Sequence, residues 1–164
     1  MEMIYGTSNQ NKVKAMVKIL GENNINAKLY TLKDIGFNKE IIEDGKTFEE
    51  NSNIKAMAIK KFCEENNIKD KIILTDDAGL CIDKLNGEPG VYSARYAGEN
   101  ATQLQILEKV LNKMKKYENK EDRTCTFVCV LTAILPNGEK IIARGECKGT
   151  VAKNMGRLGG LTYI

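Results

Sequence analysis

The chain has 164 residues, 42% of them hydrophobic, enough for one α/β domain with a true core and too few for two. Its 25 basic and 22 acidic residues are spread along the whole length and leave a formal charge of +3, a balanced surface without the basic arm that nucleic acid binding uses. No apolar run approaches the ~20 residues of a membrane span, and Met1-Glu2-Met3-Ile4 has neither a basic leader nor a cleavage site, so the expectation is a cytoplasmic protein with no nucleic acid and no membrane partner.

In chain order, Met3 to Gly6 reads as a short strand. Val13, Met16, Val17 and Leu20 then recur at helical spacing until Gly21. Ala27 to Thr31 reads as a second strand, followed by a polar loop from Asp34 to Lys46. Thr47 with Glu50 three residues later has the form of a capping box, and the helix it opens, with Phe48, Ala58, Ile59 and Phe62 as its apolar face, runs to about Asn66. Ile72-Ile73-Leu74 looks like a strand buried on both faces that ends in Asp76-Asp77. Leu85 to Gly90 is a loop. Thr102 can cap a third helix carrying Leu104, Leu107, Leu111 and Met114. Thr124 to Leu135 and Lys140 to Thr150 form a long hairpin around Pro136-Asn137-Gly138. The alternation predicts an α/β fold around a mixed sheet, a single domain over residues 1–164.

Chemistry is narrowed by what is missing. The sequence contains no histidine, which removes Ser-His and Cys-His nucleophilic catalysis. Its five cysteines include no C-x-x-C pair and read as small buried hydrophobes. Acid-base work therefore falls to carboxylates, lysines or metal-bound water. Thr7-Ser8-Asn9-Gln10-Asn11-Lys12 lies between the first strand and the first helix, where it either caps the helix or collects a phosphate at the positive end of the dipole. Asp76-Asp77-Ala78-Gly79 is either an ordinary turn pair or a place for Mg²⁺, since paired acids at a buried strand end call for something positive. Glu43 in the polar loop could swing toward the same ion. Asn51 and Lys55 share a helical face that reads first as solvated and alternatively as an amide and an ammonium for a polyphosphate. Leu85 to Gly98, with two tyrosines and Arg95, could wall a ligand or be plain surface.

Taken together these motifs resemble the inosine triphosphate (dITP/XTP) pyrophosphatase family over nearly the entire chain. The matching residues are Thr7-x-Asn9-x-x-Lys12, Glu43-x-Gly45-x-Thr47-Phe48-x-Glu50-Asn51 with Lys55-Ala56, Asp76-Asp77-x-Gly79-Leu80, and Leu85-x-Gly87-x-Pro89-Gly90-x-Tyr92-Ser93-Ala94-Arg95-Tyr96. The resemblance implies an elongated mixed sheet flanked by helices, two lobes around a central nucleotide cleft, and a homodimer. It implies hydrolysis of ITP, dITP and XTP to the monophosphate and pyrophosphate with Mg²⁺ as cofactor. On that basis Thr7, Ser8, Asn9, Gln10, Asn11 and Lys12 hold the triphosphate, and Lys55 joins them. Glu43, Asp76 and Asp77 are the metal carboxylates, and Asp77 is also the proton acceptor. Ala78, where the family often has serine, and Arg95 are expected at the substrate, as are Leu161, Thr162 and Tyr163. The last three stand where the family continues as Phe-Gly-Tyr-Asp-Pro, and only the tyrosine is kept. The family's lysine and Ser-His-Arg motif for the purine base do not follow, so the resemblance also implies a chain lacking the usual C-terminal segment. The alternative is a weakly active or non-catalytic nucleotide-binding or dimerisation module. A related house-cleaning pyrophosphatase for pyrimidine or modified nucleotides is the third reading, against which the stretch from Tyr92 to Tyr96 argues.

Overall fold

The computed structural model describes residues 1–155. Among these, five strands form one sheet in the order β2-β1-β3-β4-β5: β1 (Glu2–Tyr5), β2 (Lys28–Thr31), β3 (Ile72–Ile82), β4 (Thr124–Ile134) and β5 (Lys140–Thr150). Three longer helices accompany them: α1 (Gln10–Glu22), α2 (Phe48–Glu65) and α3 (Gln103–Met114). β1 runs parallel to both β2 and β3, with Met3 opposite Leu29 on one side and Ile72 on the other. The short turn between β4 and β5 makes that pair an antiparallel hairpin, so the sheet is mixed. Gly138 takes the turn's positive φ of 88°, and Leu135 N–H closes it on the Glu139 carbonyl at 2.8 Å. No helix among the described residues is long and apolar enough to cross a membrane.

Contacts divide the chain into two compact units, Met1–Asp77 with Val130–Ala143, and Ala78–Cys129 with the chain from Arg144. In the first unit the strand period of two sorts side chains onto opposite faces. Ile4 and Ile73 pack with Ala56, Ile59 and Cys63 of α2 and with Phe37. Met3, Tyr5 and Leu74 pack with Met16 and Leu20 of α1. The second unit closes around Leu80, Ile82, Val110 and Met114. It also buries Arg123, whose guanidinium donates to four main-chain carbonyls, those of Met114, Tyr117, Val151 and Ala152, at 2.6–2.8 Å.

Both helix starts read from the sequence are realised. Thr47 Oγ1 accepts from Glu50 N–H and the Glu50 carboxylate accepts from Thr47 N–H, while Thr102 and Gln105 repeat the arrangement at α3. Four expectations change. Gly21 does not end α1; the helix reaches Glu22, and Asn24 turns the chain at a φ of 53°, a region asparagine tolerates. Val17 is 55% exposed, because only Met16 and Leu20 lie fully on the sheet-facing line of that helix. Leu104 is 44% exposed: it falls at the rim of a broad apolar arc whose centre is Val110 and Met114. Finally, β3 does not stop before the acidic pair but continues through it to Ile82. Aspartate disfavours strands locally, and here partners on both faces of the sheet override that preference.

These packing facts yield a stability test. Arg123→Ala removes a buried charged donor shared by four main-chain acceptors and is expected to cost about 3 kcal/mol or more, seen as a lower urea midpoint. Lys18→Ala, which loses only an exposed pair with Glu22 at 3.7 Å, should stay within about 0.5 kcal/mol of the parent.

Candidate active site

The site grows out of the period-two alternation of β3. Thr75 turns toward α2, where its hydroxyl donates to the Ser52 carbonyl at 2.7 Å. Asp76 turns the other way, toward α1, and Asp77 returns to α2. Adjacent acids thus reach two different sets of partners.

On the α1 side, Asp76 is buried and both of its oxygens are engaged. Tyr5 Oη donates to Oδ1 at 2.8 Å and Lys12 Nζ to Oδ2 at 2.6 Å. Lys12 stands in the first turn of α1, ahead of which Asn9 acts as N-cap: its side chain accepts from Asn11 N–H at 2.9 Å and Lys12 N–H at 3.4 Å. The capping reading of this loop is therefore realised in part, by Asn9, while Lys12 faces inward to a carboxylate. Ser8, Asn9, Gln10 and Asn11 are exposed and Thr7 is half-buried. Beside them a recess of about 550 Å³ is lined by Thr7, Ser8 and Gln10 together with Lys33, Phe37 and Lys39.

On the α2 side, two carboxylates from separate stretches meet at one ammonium. Lys55 Nζ lies 2.5 Å from Glu43 Oε2 and 3.6 Å from Asp77 Oδ1. The other Asp77 oxygen accepts from Asn51 Nδ2 at 3.1 Å. Asn51 is only 1% exposed, which overturns the solvated reading of the Asn51 and Lys55 face: the pair points into the unit because Asp77 gives the amide a partner there. Burial pushes the Asp77 carboxyl above its ordinary range. The Lys55 charge and the Asn51 hydrogen bond oppose this without cancelling it, and Glu43 adds to it.

Two of the remaining expected residues belong to the second unit. Ala78 is half-buried and follows Asp77 along β3. Arg95 ends a short 3₁₀ segment, Gly90–Arg95, with its guanidinium 5.2 Å from the Tyr92 ring centre. Leu161, Thr162 and Tyr163 lie outside the described residues. Tyr5 was not singled out by sequence; inside an apolar strand its only signal was a polar hydroxyl in an otherwise hydrophobic run.

Among the described residues no group of three or more His, Cys, Asp or Glu side chains converges as a self-sufficient metal site. Mg²⁺ does not require one, since it is commonly held by one or two carboxylates with substrate phosphates and water. Glu43 and Asp77 are oxygen donors already gathered around a positive charge, and the chemistry of that pair fits the ion.

The Ham1 family profile matches residues 3–163. A dITP/XTP pyrophosphatase of Clostridium perfringens is 40% identical over 162 residues, covering 99% of this chain and 78% of that protein. Another, from Bacillus subtilis, is 43% identical over 152 residues, covering 93% and 72%. Among solved structures, the Staphylococcus aureus Ham1 protein superposes with a TM-score of 0.78 at 33% identity, covering 98% of this chain and 77% of that one. A HAM1 protein from Coxiella burnetii gives 0.80 at 31% identity, covering 97% and 77%. With a family profile matched along nearly its whole length and relatives at this level of identity, the chain belongs to the Ham1 family.

Proposed function

We propose that this protein hydrolyses ITP, dITP and XTP to the monophosphate and pyrophosphate with Mg²⁺, as a cytoplasmic homodimer that cleanses the nucleotide pool. The observation that carries the reading is the meeting of Glu43 and Asp77 at Lys55, in the same unit where Lys12 is fixed at the start of α1. The names of the relatives, dITP/XTP pyrophosphatases, supply the substrate class.

In this reading the loop from Thr7 to Lys12 receives the triphosphate at the positive end of the α1 dipole, beside the recess that Thr7, Ser8 and Gln10 help to line. Glu43 and Asp77 would hold Mg²⁺, which neutralises polyphosphate charge when bound. Asp76 anchors the Lys12 ammonium through Oδ2. Asp77 accepts the proton of the attacking water, and its raised proton affinity brings it closer to the range in which a carboxylate serves as a base. As the water oxygen bonds to the α-phosphorus, the bond to the bridging oxygen breaks. Lys12 and Lys55 stabilise the charge that leaves with pyrophosphate. Ala78 and Arg95, with Leu161, Thr162 and Tyr163, would complete the substrate contacts.

The products decide the reaction. Incubation with ITP or XTP and Mg²⁺ should release pyrophosphate and the monophosphate, more slowly with ATP or GTP. Orthophosphate as the sole inorganic product, or turnover indifferent to a chelator, would overturn the assignment. Asp77→Asn should lower kcat about a hundredfold or more.

The pH dependence has a definite sign. Asp77 has a folded-state proton affinity above that of the unfolded chain, so its contribution to stability is present at low pH and lost as pH rises through the raised value. Above that value its ionised form therefore works against the fold, and a bound cation offsets this. Thermal unfolding should show a Mg²⁺-induced rise in Tm that is largest above the raised Asp77 range and fades as the pH is lowered through it and protons displace the ion. A rise that is the same at both ends, or that survives in Asp77→Asn, would count against Asp77 as a ligand.

A further inference from the structure

We infer that Asn51 is the positioning residue that holds Asp77 and the Glu43-bearing loop in one fixed arrangement. The inference rests on the functional reading above and assigns a role to a side chain that reading leaves unused.

The buried carboxamide of Asn51 makes two hydrogen bonds of opposite polarity. Its Oδ1 accepts from Gly45 N–H at 2.9 Å and its Nδ2 donates to Asp77 Oδ2 at 3.1 Å. Only one orientation of the amide satisfies both: turned over, it would set NH₂ against N–H and oxygen against carboxylate. The group therefore reads a main-chain donor two residues beyond Glu43 on one side and the catalytic carboxylate on the other. Because Asn51 occupies Oδ2, it is Oδ1 that faces Lys55, and through Lys55 the Glu43 carboxylate.

The loop is built for this contact. A Cβ at Gly45 would come within 2.6 Å of Asn51 Oδ1 and 2.7 Å of Glu50 Cβ, so only glycine allows the approach. The next two N–H groups, of Lys46 and Thr47, are taken by the Glu50 carboxylate at 2.5 and 3.2 Å. Three consecutive main-chain donors are thus held by the first turn of α2. Of the two side chains holding them, only Asn51 also touches the reacting residue. Capping accounts for Glu50, whereas burial of a full carboxamide against a carboxylate is not needed to start a helix.

The test separates the two bonds. Asn51→Ala removes both; Asn51→Asp keeps an acceptor for Gly45 and loses the donor to Asp77. Cys63→Ala, in the same helix and remote from these contacts, controls for lost stability. By amide hydrogen exchange in labelled protein, Gly45 should exchange about tenfold faster or more in Asn51→Ala and stay slow in Asn51→Asp and Cys63→Ala. With ITP, kcat should fall about tenfold or more in both Asn51 variants while KM moves less than about threefold, and the Mg²⁺ needed for half-maximal rate should rise in Asn51→Ala. Unchanged Gly45 exchange in Asn51→Ala, or a kcat loss per folded molecule no greater than in Cys63→Ala, would overturn the inference. A wild-type protein that turns over no purine nucleoside triphosphate would instead sink the functional reading, and Gly45 exchange would still decide whether Asn51 ties the loop down.

Discussion

Everything at the site follows from one stereochemical constraint: neighbouring residues in an extended strand face opposite sides of a sheet. Asp76 and Asp77 are consecutive in β3, and both are buried. A carboxylate inside a protein is tolerable only with a cation or several donors beside it, so each face of the sheet must supply its own. α1 brings Lys12 to Asp76, with Tyr5 of β1 assisting, and α2 brings Lys55 and Asn51 to Asp77. The two helices are thereby fixed in register with β3 by charge as well as by the apolar contacts of Ile4, Met16 and Ile59.

Magnitude separates these pairs from the others in the molecule. Exposed pairs such as Lys18 with Glu22 or Lys61 with Glu65 are worth about 0–1 kcal/mol. Removing one partner of a buried pair leaves an uncompensated charge and costs about 3–5 kcal/mol. Lys55 and Asp77 have side chains only 11% and 12% exposed, so this second regime applies. Such pairs are poor devices for stability, since apolar residues of the same volume would serve the fold as well. Their presence side by side at a strand interior is better explained by what they do to a ligand than by what they do for the core.

Local chemistry was legible in the sequence and long-range chemistry was not. The capping box of Thr47, the cap at Thr102 and the bounds of β5 involve residues a few positions apart, and they stand where the sequence puts them. The acidic pair was visible as residue types, but its setting was misread as a strand end because aspartate disfavours strands and its partners are remote: Tyr5 is 71 residues from Asp76, and Asn51 is 26 from Asp77. The same distance hid Asn51, which looks solvated until Asp77 is brought against it. The face of α3 was blurred for a different reason. Its apolar arc is wide enough to fit two stripes, and only packing against Leu80 and Ile82 chooses the one through Val110 and Met114.

Strand propensity fails at Asp76 and Asp77, where chemistry is proposed, and this follows from the energetics. The fold sets Asp77 in surroundings that resist its ionisation even with Lys55 and Asn51 alongside. A site already neutralised by its own lysines would have little affinity left for another cation. One that holds Glu43 and Asp77 together around a single ammonium, with desolvation still opposing the charge, retains a demand for positive charge that a divalent ion and its phosphate ligands can meet. The tension that makes residues 76 and 77 unfavourable in a strand by propensity is thus the same tension on which the proposed function draws, which is why sequence rules and structure part company there rather than in the hairpin or the helix caps.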